Sequence, residues 1–259
     1  MRSSLSADPE VVQADDPGAR VALVLHGGGG PQAIAPIVSH LAPSFHTLAP
    51  THPGWNGTSR PDGIDSVASL AAVYLDRLLA DGRRDVVLIG SSIGGWIALE
   101  MAVQAAADDK YVGLVGAVVD VDGVGVVVEG EPIADFFALS ARELAEVAWH
   151  DPDRGYRDPA GFTAQQRAIQ QSNGQTMAVI AGRAMSDPEL LARLRTIAVP
   201  TLVVFGESDR VVTPACGRAV SDAIPGAEFV EVPAAGHLPH LENAAATWAV
   251  IDPFLSRTR

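Results

Sequence analysis

At 259 residues, 47% hydrophobic and 19% charged, the chain is long enough for one α/β domain with a sizeable core, and its composition is globular rather than disordered. A net charge of −13 argues against nucleic-acid binding, since phosphate contacts require a basic patch and the sequence shows none, so no nucleic-acid partner is expected. One cysteine, Cys216, rules out an intramolecular disulfide. No secretory pattern opens the sequence, and the apolar run from Val112 to Val128 is broken by Asp120, Asp122 and glycines. A cytoplasmic protein with no membrane partner is therefore expected.

Residues 1–19 are polar, with Asp15-Asp16-Pro17-Gly18 reading as a turn and Val11-Val12 as a short edge strand. Arg20 to Leu25 is a continuous apolar strand, stopped by His26-Gly27-Gly28-Gly29-Gly30-Pro31. Ile34, Ile37, Val38 and Leu41 then fall at helical spacing. Phe45 to Ala49 is a short strand leading into a loop from Pro50 to Ser59. Val67, Leu70, Ala71, Tyr74, Leu75 and Leu78 mark an amphipathic helix, capped by Asp65 or Ser66 and closed at Gly82.

Next comes Val86-Val87-Leu88-Ile89-Gly90-Ser91-Ser92-Ile93-Gly94-Gly95-Trp96, where a buried strand breaks into Gly-x-Ser-x-Gly and a helix follows to about Ala107. That helix is apolar almost all round, so it should be buried, with Trp96 in its core. Leu114 to Val121, Thr201 to Gly206 and Glu228 to Val232 read as further strands. Thr213-Pro214 caps a helix with proline at its first position, and another runs from about Asn243 with a possible break at Pro253. Strands apolar on both faces, alternating with helices, imply a parallel sheet covered on both sides.

Residues 123–187 interrupt this rhythm. Ser140-Ala-Arg-Glu143 and Thr163-Ala-Gln-Gln166 read as capping boxes for short helices, with a loop from Trp149 to Gly155 between them. The expected organisation is a core of residues 1–122 and 188–259 with an inserted helical cap over 123–187. The cap carries Phe136, Phe137, Trp149, Tyr156, Phe162, Met177 and Met185.

A serine between glycines at a strand–helix turn is positioned as a nucleophile, but it needs a base and an acid that orients the base. In parallel α/β sheets, sites collect at the C-terminal ends of strands. Asp209 follows the strand Thr201–Gly206, and His237 follows the last strand in Ala235-Gly236-His237. The chain order is Ser92, Asp209, His237. His240 is the rival base, although bonding near the start of the last helix suits it better. Asp120 and Asp122, at the end of Leu114–Val121, are the rival acids; Glu207 reads as structural. His40, His46 and His52 lack zinc-site spacing, and the glycines at 27–30 match neither phosphate-loop nor dinucleotide patterns, so no metal and no cofactor is expected.

With His26-Gly27-Gly28, Pro53-Gly54-Trp55-Asn56-Gly57, Gly90-x-Ser92-x-Gly94, Gly206-x-x-Asp209 and Gly236-His237 in this order, the chain resembles the small, lid-bearing serine hydrolases of the α/β-hydrolase fold. The resemblance implies a mostly parallel twisted sheet with helices on both faces and an inserted helical cap. It departs in having a short N-terminal part and His52, not the frequent aspartate, before Pro53-Gly54. His26 is expected to brace the glycine loop. The implied mechanism uses Ser92, His237 and Asp209, with the backbone N–H groups of Gly28 and Ile93 as oxyanion donors. Trp55, Phe136, Phe137 and Trp149 are the expected substrate contacts, Trp55 serving equally well as loop packing. The expected activity is cleavage of an ester or related acyl bond in a small to medium, largely apolar substrate, by a monomer or homodimer. The alternatives are C–C hydrolysis of a ring-cleavage diketone and a non-catalytic ligand-binding role.

Overall fold

The computed structural model describes residues 10–12, 14, 16 and 18–258. Asp15 and Pro17 of the expected turn lie outside the described residues. Among the described residues, seven strands form one sheet: β1 (Glu10–Val12), β2 (Val21–Leu25), β3 (His46–Ala49), β4 (Val86–Ser91), β5 (Val115–Val121), β6 (Thr201–Gly206) and β7 (Glu228–Val232). Their spatial order is β1-β3-β2-β4-β5-β6-β7, with β1 antiparallel to β3 and every other pair parallel. From β2 the chain first moves outward to β3, then returns to the other side as β4. The loops after β2 and β4 therefore diverge, and the crevice between them is where open α/β sheets bind ligands.

The first half also carries α1 (Ala35–Leu41), α2 (Val67–Ala80) and α3 (Ile93–Ala107). Between β5 and β6 lie α4 (Ala141–Ala148), α5 (Pro152–Gly155), α6 (Ala164–Ile180) and α7 (Leu190–Arg193). The chain ends with α8 (Pro214–Ala223), α9 (Pro239–Glu242) and α10 (Ala244–Arg257).

Alternate residues of the strands enter two separate cores, because successive side chains point to opposite faces of a sheet. Leu23, Leu25, Val86, Leu88, Val203 and Phe205 pack with α2, α3 and α8. Ala22, Val24, Val87, Ile89, Leu202 and Val204 pack with α1 and α10. Burying each larger aliphatic side chain contributes about 1.5–3 kcal/mol. Glu100, buried on α3, is paired with Arg193 at 2.7 Å, and the same guanidinium reaches Asp187 at 2.5 Å.

Ser66 caps α2, and the boxes at Ser140 and Thr163 cap α4 and α6 as their sequences require. Three local expectations change. Thr213 stands before α8, but its hydroxyl donates to Glu131 Oε2 at 2.6 Å instead of capping the helix. Pro152–Gly155, expected as loop, forms one helical turn because the Asp151 side chain accepts the Asp153 N–H. Finally, α10 runs through Pro253 without a break. Ile251, Phe254 and Leu255 are buried on either side of it, so packing on the sheet outweighs the lost N–H.

Candidate active site

Ser92 sits between β4 and α3 with φ 59° and ψ −123°, a conformation L-residues seldom adopt. The close packing of this turn explains the flanking glycines. A Cβ on Gly90 would lie 2.0 Å from the Gly94 carbonyl oxygen, and one on Gly94 would lie 2.2 Å from the Leu25 carbonyl oxygen. Only hydrogen at these positions lets helix and strand approach so closely.

The turn aims Ser92 Oγ at His237 Nε2, 2.9 Å away. His237 donates its Nδ1–H to Asp209 Oδ2 at 2.7 Å. Asp209 Oδ1 accepts the N–H groups of Val211 at 2.8 Å and Val212 at 3.2 Å, so its loop turns around its own carboxylate. The three residues come from the ends of β4, β6 and β7, 145 positions apart at the extremes, and the parallel sheet brings those ends together. Asp209 and His237 are buried. His240, the rival base, is turned away: its Nε2–H donates to the Ala33 carbonyl at 3.0 Å, not to the last helix, and burial lowers its pKa to about 4.

The rival acids lie behind this chain of contacts. Asp120 is fully buried, and desolvation raises its pKa to about 7, partly offset by the Gly123 backbone. Asp122 Oδ1 accepts the Gly206 N–H at 2.8 Å, and burial followed by the neighbouring Asp209 charge pushes its pKa well up. Neither donates to or accepts from His237, whose Nδ1 is committed to Asp209. Among the described residues, Asp122, Asp209 and His237 are also the one grouping with the spacing of metal ligands. Three N–H donors already engage the Asp209 carboxylate, the arrangement of a hydrogen-bonded acid.

Ile93 opens α3, where the first N–H groups have no intrahelical acceptor. Gly28 lies in the turn closed by the Gly30 N–H to the Gly27 carbonyl at 3.1 Å. A Cβ on Gly27 would lie 3.2 Å from Ser92 Cβ, so this loop packs directly on the serine. His26 braces it: Nδ1–H donates to the Gly27 carbonyl at 2.7 Å, and Nε2 accepts the His52 N–H at 2.9 Å. Trp55 is fully buried and donates its indole N–H to the Gly28 carbonyl at 3.0 Å. It supports the glycine loop and is absent from the lining of the cavity above Gly28, so of its two expected roles the loop packing is the one seen, not substrate contact.

A cavity of about 410 Å³ opens above Gly28 and Gly29. Phe136 and Trp149 line it, together with Leu144, Phe162 and Met177. Phe137 does not line it; its ring meets Phe136 edge-on and carries the Arg183 guanidinium 5.2 Å from its centroid. Several cavity residues escaped the sequence reading, among them Leu144 on α4 and Gln170, Asn173 and Gly174 on α6. Asn173, Thr176, Met177 and Ile180 are buried at i, i+3, i+4 and i+7, so a helix-period reading of this segment would have found the inward face. Asn173 Oδ1 accepts the Asn56 N–H at 2.8 Å, and the Thr176 hydroxyl donates to the Gly54 carbonyl at 3.0 Å. The segment between β5 and β6 is also tied to the loops of the candidate acid and base. The His237 N–H donates to the Ala148 carbonyl at 2.7 Å, and the Arg210 N–H donates to the Val147 carbonyl at 3.0 Å.

The architecture and the serine turn define an α/β hydrolase, and the comparisons agree. The model of the alpha/beta hydrolase family matches residues 22–250, and the chain belongs to that family. It is 26% identical over 249 residues to RutD of Klebsiella pneumoniae (strain 342), a candidate carbamate hydrolase, covering 90% of each chain. It is 25% identical over 231 residues to Lipase 1 of Psychrobacter immobilis, covering 85% of this chain and 72% of that one. The crystal structure of a candidate lipase, lip1, from Acinetobacter baumannii AYE superposes with a TM-score of 0.77 at 22% identity, over 95% of this chain and 86% of that one. These sequence relatives are hydrolases, which supports hydrolase activity here. No helix among the described residues is long and apolar enough to cross a membrane.

Proposed function

We propose that the protein is a serine hydrolase acting on an ester or related acyl bond of a small to medium, largely apolar substrate. The observation that carries this reading is the unbroken chain Ser92 Oγ–His237 Nε2 (2.9 Å) and His237 Nδ1–Asp209 Oδ2 (2.7 Å) beside an aromatic- and aliphatic-lined cavity. Ser92 attacks the carbonyl carbon, and His237 takes the hydroxyl proton. Asp209 fixes the tautomer that leaves Nε2 free to accept it, and it stabilises the imidazolium. The Gly28 and Ile93 N–H groups receive the oxyanion, each such donor contributing about 3 kcal/mol to the transition state. His237 then protonates the leaving group, and water, deprotonated by the same imidazole, releases the acyl group from Ser92. Residues 123–187 act as the cap that selects the acyl chain, through Phe136, Trp149 and Met177.

The test is turnover of short and medium p-nitrophenyl esters by the wild type and Ser92→Ala. The expected loss is about a thousandfold or more. Near-normal turnover by the purified variant would exclude Ser92 as the nucleophile.

A further inference from the structure

Asp122 is a buried ionisable group that the proposed mechanism leaves idle, yet it stands against the candidate acid. It follows β5 directly, at φ 49°, a left-handed conformation uncommon for a residue with a side chain. Its N–H donates to the Val204 carbonyl at 2.9 Å, and its Oδ1 accepts the Gly206 N–H at 2.8 Å. Both contacts fasten it to β6, the strand that leads to Asp209. One polar side-chain atom each from Asp122, Asp209 and His237 lie within 4.8 Å of one another, with both carboxyls buried. Asp122 Oδ2 is buried and has no hydrogen-bond partner. The charged or titratable groups facing Asp122 are Asp209 and His237 from the two loops and Asp120 from its own strand.

Two ionised carboxylates have no donor between them, so a hydrogen bond joining two carboxyls needs one proton. Donor counting says where it resides. Asp209 accepts three N–H groups, from Val211, Val212 and His237; Asp122 accepts one, from Gly206. The better-solvated carboxylate keeps the charge.

We infer that Asp122 and Asp209 form a carboxyl pair carrying one negative charge behind His237, with the proton on Asp122. Asp122 is then a positioning residue. It donates to Asp209, holds that carboxylate toward Nδ1, and takes the charge itself when Asp209 is neutralised. The inference rests on the serine-hydrolase reading for its consequence in catalysis, but not for the proton.

The test is a cycle of Asp122→Asn, Asp209→Asn and the double variant, all close in shape to the native residues. The rate of Ser92 labelling by a fluorophosphonate probe is measured alongside melting temperature against pH. Asp122→Asn keeps an N–H donor to Asp209 and is expected to slow labelling about fivefold. Asp209→Asn is expected to slow it about a hundredfold, with the charge displaced onto Asp122. The double variant, with no charge left, is expected to lose about fiftyfold more than Asp209→Asn. A further loss of no more than about fivefold, the Asp122→Asn effect alone, would overturn the pair. Melting tests the proton independently of chemistry. A proton held by the fold costs stability as the solution becomes alkaline, so Asp122→Asn should gain on the wild type as pH rises above the ordinary carboxylate range. A flat difference overturns the proton assignment. If the wild type is not labelled at all, the serine-hydrolase reading fails, while the melting comparison still decides the pair.

Discussion

His26 and His52 hold each other through two hydrogen bonds. The His52 N–H donates to His26 Nε2 at 2.9 Å, and His52 Nε2–H donates to the His26 carbonyl at 3.0 Å. The outer nitrogens are used as well, His26 Nδ1–H by the Gly27 carbonyl at 2.7 Å and His52 Nδ1 by the Tyr74 hydroxyl at 2.6 Å. All four ring nitrogens are thus used by neutral tautomers, and a proton added to His26 Nε2 would set donor against the His52 N–H. This pair fixes the start of the glycine loop, and with it the candidate oxyanion site.

The pair predicts a loss of stability on acidification. Burial lowers the His26 pKa from 6.5 to about 4 and that of His52 well below 6.5. The unfolded chain binds protons below 6.5 that the fold refuses, so the stability is present above that value and is lost as pH falls toward about 4. His52→Asn should flatten this acid limb in melting experiments, at a cost near neutral pH. Tyr74→Phe, which strips the donor from His52 Nδ1, should cost about 1–3 kcal/mol, measured by urea denaturation. An unchanged acid limb in His52→Asn would show that the pair does not govern it.

Asp120 predicts the opposite slope. Its pKa is raised from 3.8 to about 7, so the fold holds a proton that the unfolded chain releases. That stabilisation is complete below the unfolded value and is lost as pH rises through about 7. Asp120→Asn should therefore gain stability relative to the wild type between pH 4 and about 7, on the order of a few kcal/mol by linkage. The two slopes partly cancel in the wild type, so the difference between variant and wild type is the quantity to follow.

The glycines of the two site loops should separate sharply. Gly94→Ala drives a methyl group into the Leu25 backbone and is expected to destabilise by more than about 4 kcal/mol or to prevent folding. A methyl group on Gly29 would meet nothing within 4 Å, and the residue has no positive φ, so Gly29→Ala should stay within about 1 kcal/mol of the wild type. Denaturant midpoints of the two purified variants would check the contrast.

Met177 Sδ would lie 2.5 Å from a Cβ on Gly28, which places the thioether over the candidate oxyanion loop. Met177→Ala should therefore lengthen the acyl chain accepted, shifting the ratio of kcat/KM for longer over shorter p-nitrophenyl esters by about tenfold. Because Met177 is also buried, a stability loss of about 2–5 kcal/mol should accompany it. An unaltered chain-length ratio in the folded variant would remove Met177 from the acyl site.

The strand–helix alternation, the capping boxes and the Ser92 turn were legible in the sequence because each depends on residues a few positions apart. Apolar runs stopped by glycine, and hydroxyl residues three positions before a glutamate or glutamine, act locally whatever the rest of the chain does. The order Ser92, Asp209, His237 was legible too, since each follows a recognisable strand. Tertiary structure alone decided which aspartate meets His237, because Asp120, Asp122 and Asp209 all follow or end strands and differ only in what surrounds them. It also moved Trp55 from the cavity wall to the support of Gly28 and drew Asn173 inward, and it carried α10 through Pro253. Burial and through-space distance govern these outcomes, and both arise from residues distant in the chain, 27 positions for Trp55 and Gly28, 28 for Asp209 and His237 and 117 for Asn56 and Asn173.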